Sequence, residues 1–230
     1  MLEEKLFELE DKIGVKFSNH DLLLQALTHR SYLNENSKWH LDHNERLEFL
    51  GDAVLELVVT EYLYNNYPNP EGELTNWRAA LVNSTMLSKV SAKFDLNNYL
   101  LLSRGEAKDT GRARQYILAN ATEAIIGAIY LDKGYEVARD FISKFILPEL
   151  PKILEEKAYK DYKSLFQEKA QDEVGITPTY EVLKEWGPDH AKQFRVGVFL
   201  EKELVGEGEG PSKQEAQQEA AKNALKKKGW

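Results

Sequence analysis

Apolar residues recur at helical spacing through most of the first 150 positions. Segments near 2–12, 20–28, 43–66, 73–92, 116–132 and 134–147 carry this period. Pro68, Pro70, Gly105, Gly111 and Gly134 punctuate them, and Pro148 and Pro151 are expected to end the run. The charged stretch Leu154–Lys160 suits a short linker. The pattern then changes. Asp161–Val174 reads as an amphipathic helix and Thr179–Trp186 as a strand. Gln193–Leu200 alternates, with Phe194, Val196, Val198 and Leu200 on one face. Glu201–Lys202 turns into a third strand, Leu204–Glu209, and Ser212–Lys228 is a last helix opened by the capping box Ser212/Glu215. The reading is a mostly α domain over 1–151, a linker over 152–160 and a small α+β domain, αβββα, over 161–230.

Composition narrows the function classes. A chain of 230 residues with 42% hydrophobic content suits one or two globular domains. It has no run of about 18 apolar residues, so no transmembrane helix is expected. Its first residues, Met-Leu-Glu-Glu-Lys-Leu-Phe-Glu, are acidic and amphipathic, unlike a signal peptide. With no cysteine, disulfides, thiol catalysis and Cys-zinc sites are excluded, which fits a cytoplasmic location. The net charge of −8 argues against non-specific coating of nucleic acid and requires any such surface to be local. The charge is uneven, −7 over residues 1–151 and −1 over 152–230.

The most informative stretch is Asn44–Leu55. Glu45, Glu48 and Asp52 stand at i, i+3 and i+7, inside an arc of roughly 60°. Leu47, Phe49, Leu50, Ala53, Val54, Leu57 and Val58 make the rest of that helix mostly apolar. Acidic positions at helical spacing usually mark a solvated face. Here the polar seam is thin, and Gly51 inside the helix suggests a close helix–helix contact. The segment 116–131 is a candidate partner. It is almost wholly apolar, and Asn120 and Glu123 share one face with Gly127 one turn beyond. Glu123 facing the acidic stripe would complete an all-oxygen cluster, which favours Mg²⁺ or Mn²⁺ over zinc.

Other motifs carry less. The run Gly206–Gly210 lacks the spacing and context of a nucleotide-binding loop and reads as a strand-to-helix connection, so no nucleotide cofactor is expected. Ser212 and Lys213 begin a helix, where free N–H groups could meet a phosphate or simply be capped at the surface. His40 and His43 lack a third soft ligand for zinc, and His29 reads as a structural, hydrogen-bonding histidine.

Asn44–Leu55 closely resembles the ribonuclease III signature. Ala26–Tyr32, Glu71–Leu74, Arg78–Val82 and Glu123–Asp132 agree with that family in order. Phe166–Glu168, Pro178–Tyr180, Gly187–Lys192, Gly206–Gly210 and Ser212–Ala216 resemble its double-stranded RNA-binding domain. The resemblance implies an all-helical endonuclease domain followed by that domain. It implies a homodimeric, Mg²⁺-dependent endonuclease, with Mn²⁺ an alternative metal. Its substrates would be double-stranded RNA, including ribosomal and messenger RNA precursors, and its products would carry 5′-phosphate and 3′-hydroxyl ends. Glu48 and Glu123 would be metal ligands, and Asp52 would help hold the metals and the attacking water. Glu45 and Glu71 would be supporting acidic residues near the RNA channel. Gln167, Glu168 and His190 would face minor grooves, and Ser212, Lys213 and Gln214 would meet phosphates. Phe49 and Leu50 would lie near a two-fold axis. Where the family usually has an aspartate ligand this chain has Asn120, which leaves a second reading: a dimer that binds double-stranded RNA and cleaves it poorly or not at all.

Overall fold

The computed structural model describes residues 2–156, 161–188 and 192–230. The chain separates near residue 160 into two units, each with its own core. The first contains α1 (Leu2–Ile13), α2 (His20–Ala26), α3 (Arg30–Glu35), α4 (Glu45–Asn66), α5 (Glu71–Val82), α6 (Ser84–Ser91), α7 (Arg112–Lys133), α8 (Tyr135–Phe145) and α9 (Leu150–Glu156). The second contains α10 (Tyr162–Val174), β1 (Thr179–Trp186), β2 (Gln193–Leu200), β3 (Glu203–Gly210) and α11 (Lys213–Lys228).

The centre of the first unit is the pair α4 and α7, each 22 residues long. Ala124, Ile125, Ile126, Ala128 and Ile129 of α7 are wholly buried, as are Leu55 and Val59 of α4. The two backbones touch. A methyl group at Gly51 would lie 1.7 Å from the Glu123 carbonyl oxygen, and one at Gly127 would lie 2.2 Å from the Leu47 carbonyl oxygen. No residue with a side-chain carbon fits either position without parting the helices. The far end of α7 is tied down by Asp132, whose carboxylate accepts from the N–H groups of Ser18 (2.7 Å) and Asn19 (3.0 Å) at the start of α2.

Three local features depart from the expected pattern. The segment 73–92 is two helices, because the Asn83 side chain leaves the helical ladder and caps α6, accepting from the Met86 N–H at 2.9 Å. Helix α3, six residues capped by the His29 ring, is too short to carry a period. The helical run also continues beyond Pro148 and Pro151. Pro151 sits in the first turn of α9, where a missing N–H costs nothing, and Leu150 and Ile153 are buried there. Helix α9 thus occupies 152–156 of the stretch expected to be linker, and residues 157–160 lie outside the described residues.

In the second unit the strands form an antiparallel sheet in the order β1-β2-β3. Val196, Val198 and Leu200 of β2 are buried as the alternation requires, and Phe194 is partly exposed. Glu201 takes a positive φ of 53° in the tight turn between β2 and β3. The glycine run Gly206–Gly210 belongs to β3 itself. A methyl at Gly208 would lie 2.2 Å from the Ala220 nitrogen, so these glycines let α11 lie directly on the strand. Ala216, Ala220, Ala221 and Ala224 form the matching face of α11. Trp230 stacks on the buried Phe166 of α10 with ring centroids 5.6 Å apart.

The two glycine environments in the first unit give a direct test. Gly51→Ala forces α4 from α7 and is expected to lower stability by about 3 kcal/mol or more. Gly72→Ala, where a methyl meets nothing within 4 Å, is expected to raise it by about 0.5–1 kcal/mol. Urea unfolding of the two variants with equal midpoints would contradict the backbone contact.

Candidate active site

The site grows out of the α4–α7 crossing. Glu48 and Asp52 flank Gly51 on α4, and Gly51 lies against the backbone of Glu123 on α7. Glu48, Asn120 and Glu123 are half-buried, while Glu45 and Asp52 are exposed. The crossing therefore gathers Glu48 and Asp52 with Asn120 and Glu123 from the opposite helix.

The electrostatics show how close these groups are. The Glu123 carboxyl is pushed up to about 8, first by burial and then by the negative charges of Asp52 and Glu48. The Glu48 carboxyl is also raised, by burial and by the charges of Glu45 and Asp52, while the Asn120 amide donates a hydrogen bond that favours its ionised form. No basic side chain among the described residues pairs with Glu48, Asp52 or Glu123. Glu45 alone has a cationic neighbour, Arg30 at 3.4 Å, with His43 Nδ1 at 3.8 Å.

This donor set fits a hard divalent cation. All its ligand atoms are oxygen, several negative charges converge, and no basic side chain among the described residues pairs with Glu48, Asp52 or Glu123. Among the described residues no three His, Asp or Glu side chains already stand close enough to hold a metal ion. Carboxylates of like charge without a counter-ion gain by staying apart.

The remaining expected site residues lie elsewhere. Glu71, at the start of α5, accepts from Thr75 Oγ1 at 3.0 Å and lines a groove of about 550 Å³ with Thr60, Leu63 and Tyr64 of α4. Thr60 is eight residues beyond Asp52, about 12 Å along the helix axis, so Glu71 does not join the cluster within one chain. His40 lies 3.6 Å from Asp21, and His43 is engaged with Asp42 and Glu45, so the two histidines do not form a pair. His29 Nδ1 accepts from the Ser31 N–H at 3.3 Å, a structural role.

On the second unit, Gln167 and Glu168 are exposed on α10. Ser212 caps α11 by accepting from the Glu215 N–H at 3.2 Å, with Gln214 exposed in the first turn. The Lys213 ammonium lies 5.7 Å from the centre of the Phe194 ring. Helices α10 and α11 are joined by Gln218 Nε2 donating to Asp161 at 2.7 Å and Lys163 Nζ donating to Gln217 at 2.9 Å, which holds the two exposed sets in one body. His190 lies outside the described residues. Residue type alone did not reveal two neighbours of the cluster, Arg30 and Asn44. Asn44 stands directly before the acidic stripe, and that adjacency was the available signal.

The raised Glu123 carboxyl sets a pH dependence. Folded protein keeps this proton up to about pH 8, whereas the unfolded chain loses it near the ordinary carboxyl value of 4.5. Stability of the metal-free first unit should therefore fall as pH rises through that window. Glu123→Gln should flatten the slope and stabilise the protein at neutral pH. Urea titrations in EDTA across the window check this, and an unchanged slope in Glu123→Gln would refute it.

Comparison with known proteins matches each of the two units to a described family. Residues 19–150 match the family model described as Ribonuclease-III-like, and residues 162–228 match the double-stranded RNA binding motif. The chain is 46% identical over 224 residues to Ribonuclease 3 of Nitratiruptor sp., covering 97% of this chain and 96% of that protein. It is 47% identical to Ribonuclease 3 of Natranaerobius thermophilus, covering 96% of each. The solved nuclease domain of ribonuclease III from Campylobacter jejuni, described for flexibility in the region involved in its dimer formation, superposes with a TM-score of 0.57 at 41% identity. It covers 63% of this chain and 97% of that one. With both domains matched in order and relatives aligned along nearly the whole length, the chain belongs to the ribonuclease III family and is an enzyme of that family.

Proposed function

We propose that this enzyme is a Mg²⁺-dependent endonuclease of double-stranded RNA, with one catalytic cluster per chain at the α4–α7 crossing. The observation that carries the reading is the set of carboxylates gathered around Gly51, where burial first and the charges of Asp52 and Glu48 second push the Glu123 carboxyl up to about 8. Glu48, Asp52 and Glu123, with the carbonyl oxygen of Asn120, would hold the cation, and Mn²⁺ would fit the same donors. Bound there, Mg²⁺ supplies an acidified water and positive charge at the scissile phosphate. Asp52, exposed at the mouth of the site, holds and orients the attacking water. Glu45 borders the channel with Arg30 beside it. Attack of water at phosphorus breaks the bond to O3′, and the water proton ends on that oxygen. The products carry a 3′-hydroxyl and a 5′-phosphate.

The second unit recognises the duplex by shape, through about 16 base pairs of A-form RNA. Gln167, Glu168 and His190 face minor grooves, and Ser212, Lys213 and Gln214 meet the phosphates between. A near-neutral unit suits this task better than the acidic first one, whose carboxylates need a cation to tolerate a polyanion. Structured precursors of ribosomal and messenger RNA are the expected substrates. No helix among the described residues is long and apolar enough to cross a membrane, and a cysteine-free chain suits the cytoplasm.

The enzyme acts as a homodimer in this reading. Phe49, Leu57 and Tyr64 are 82%, 56% and 79% exposed and lie within an arc of roughly 80° on α4, an apolar stripe that the described residues leave uncovered. A two-fold partner would cover it. It would also give Glu71 a route to the partner's cluster, since it does not reach its own.

Two experiments test these statements. Incubation with a long RNA duplex should give short duplex products only when Mg²⁺ or Mn²⁺ is present, and Glu123→Gln should lower the rate by about 100-fold or more. Asn120→Asp should lower the Mg²⁺ concentration needed. Products from Asn120→Asp with none from this chain would instead establish the binding-only reading. The parent should sediment as a dimer at micromolar concentration and Phe49→Asp as a monomer, so a monomeric parent would refute the dimer.

A further inference from the structure

Glu45 and Glu48 occupy the first turn of α4, and the residue that fixes that turn is Asn44. It stands at the N-cap position, yet its side chain makes no capping bond to its own helix. Asn44 is 3% exposed, and its Nδ2 donates instead to the Ala26 carbonyl at the end of α2, at 3.3 Å. Its backbone N–H donates to the Thr28 carbonyl at 2.9 Å, and its own carbonyl accepts from the Glu48 N–H at 2.9 Å. Capping passes to the neighbour, since His43 Nδ1 accepts from the Glu45 N–H at 3.4 Å. Gln25 Nε2 braces the same point by donating to the His43 carbonyl at 3.2 Å.

The surface that Asn44 grips is itself rigid. Thr28 Oγ1 donates to the Leu24 carbonyl at 2.8 Å, and Leu101 bridges the segment by donating to Leu27 and accepting from His29. An asparagine at this position ordinarily stabilises its own helix by bonding a first-turn N–H. Here that contribution is given up, and the side chain joins two helices at a fixed register. Helix α4 is then held at two points, Asn44 and Gly51. Glu48 lies between them and cannot swing about the helix axis without breaking one.

We infer that Asn44 is a positioning residue for the carboxylate set, holding Glu48 at the rotation and depth that face Asn120 and Glu123. The inference rests on the metal-site reading given above. Its test is Mn²⁺ binding to the full-length, RNA-free protein, followed by loss of the free-ion electron paramagnetic resonance signal, with the unfolding midpoint in EDTA measured alongside. Asn44→Ala should weaken Mn²⁺ binding about tenfold, the effect of losing a group that orients ligands. Ile142→Val, wholly buried in α8, should lower the midpoint and leave Mn²⁺ affinity unchanged. Should Asn44→Ala fail to fold, Gln25→Ala loosens the same clamp from its partly buried side and should shift affinity in the same direction. Parent-like affinity in the folded clamp variants, or equal weakening in Ile142→Val, overturns the inference alone. A parent that binds no Mn²⁺ overturns the metal-site reading with it.

Discussion

Two helix backbones in direct contact are the constraint on which the rest of the first unit depends. Packed helices are ordinarily kept about 8–10 Å apart by their side chains. At Gly51 and Gly127 nothing intervenes, and each glycine rests on a carbonyl of the other helix. This depth brings Glu123 to the level of Glu48 and Asp52 and buries the apolar faces of α4 and α7. A wider crossing would leave three separate surface acids. The charge cluster and the core therefore come from one contact, and the core has to supply the stability that the crowded carboxylates remove.

The second unit solves a related packing problem for another purpose. Glycines of β3 and alanines of α11 let helix and strand approach closely, with Phe166 and Trp230 closing the end of the small core. Closeness in this unit serves rigidity rather than charge. Links from Asp161 and Lys163 to Gln218 and Gln217 join α10 to α11, so that the exposed residues on both helices are held in one body.

Much of this was legible from residues alone. Long periodic segments are α1, α4, α7 and α8, the alternating segment Gln193–Leu200 is β2, and Gly51 and Gly127 mark the crossing. What failed was short-range and governed by single side chains. Asn83 splits one expected helix because its amide prefers a cap to a ladder position. Pro151 does not end the helical run, because a proline in a first turn has no hydrogen bond to lose. Helix α3 escaped because six residues are less than two turns.

By itself the sequence determined which residues are acidic, at what spacing, on which helix, and that a near-neutral αβββα unit follows an acidic helical one. These follow from local periodicity and composition, which need no knowledge of neighbours. Only the tertiary structure decided that Glu123 and Asn120 face Glu48, that Glu71 stands at least two turns away along α4, and that Asn44 grips α2 rather than capping its own helix. Each depends on the distance and rotation between helices far apart in sequence. That geometry is set by the whole core, through contacts that no local pattern encodes.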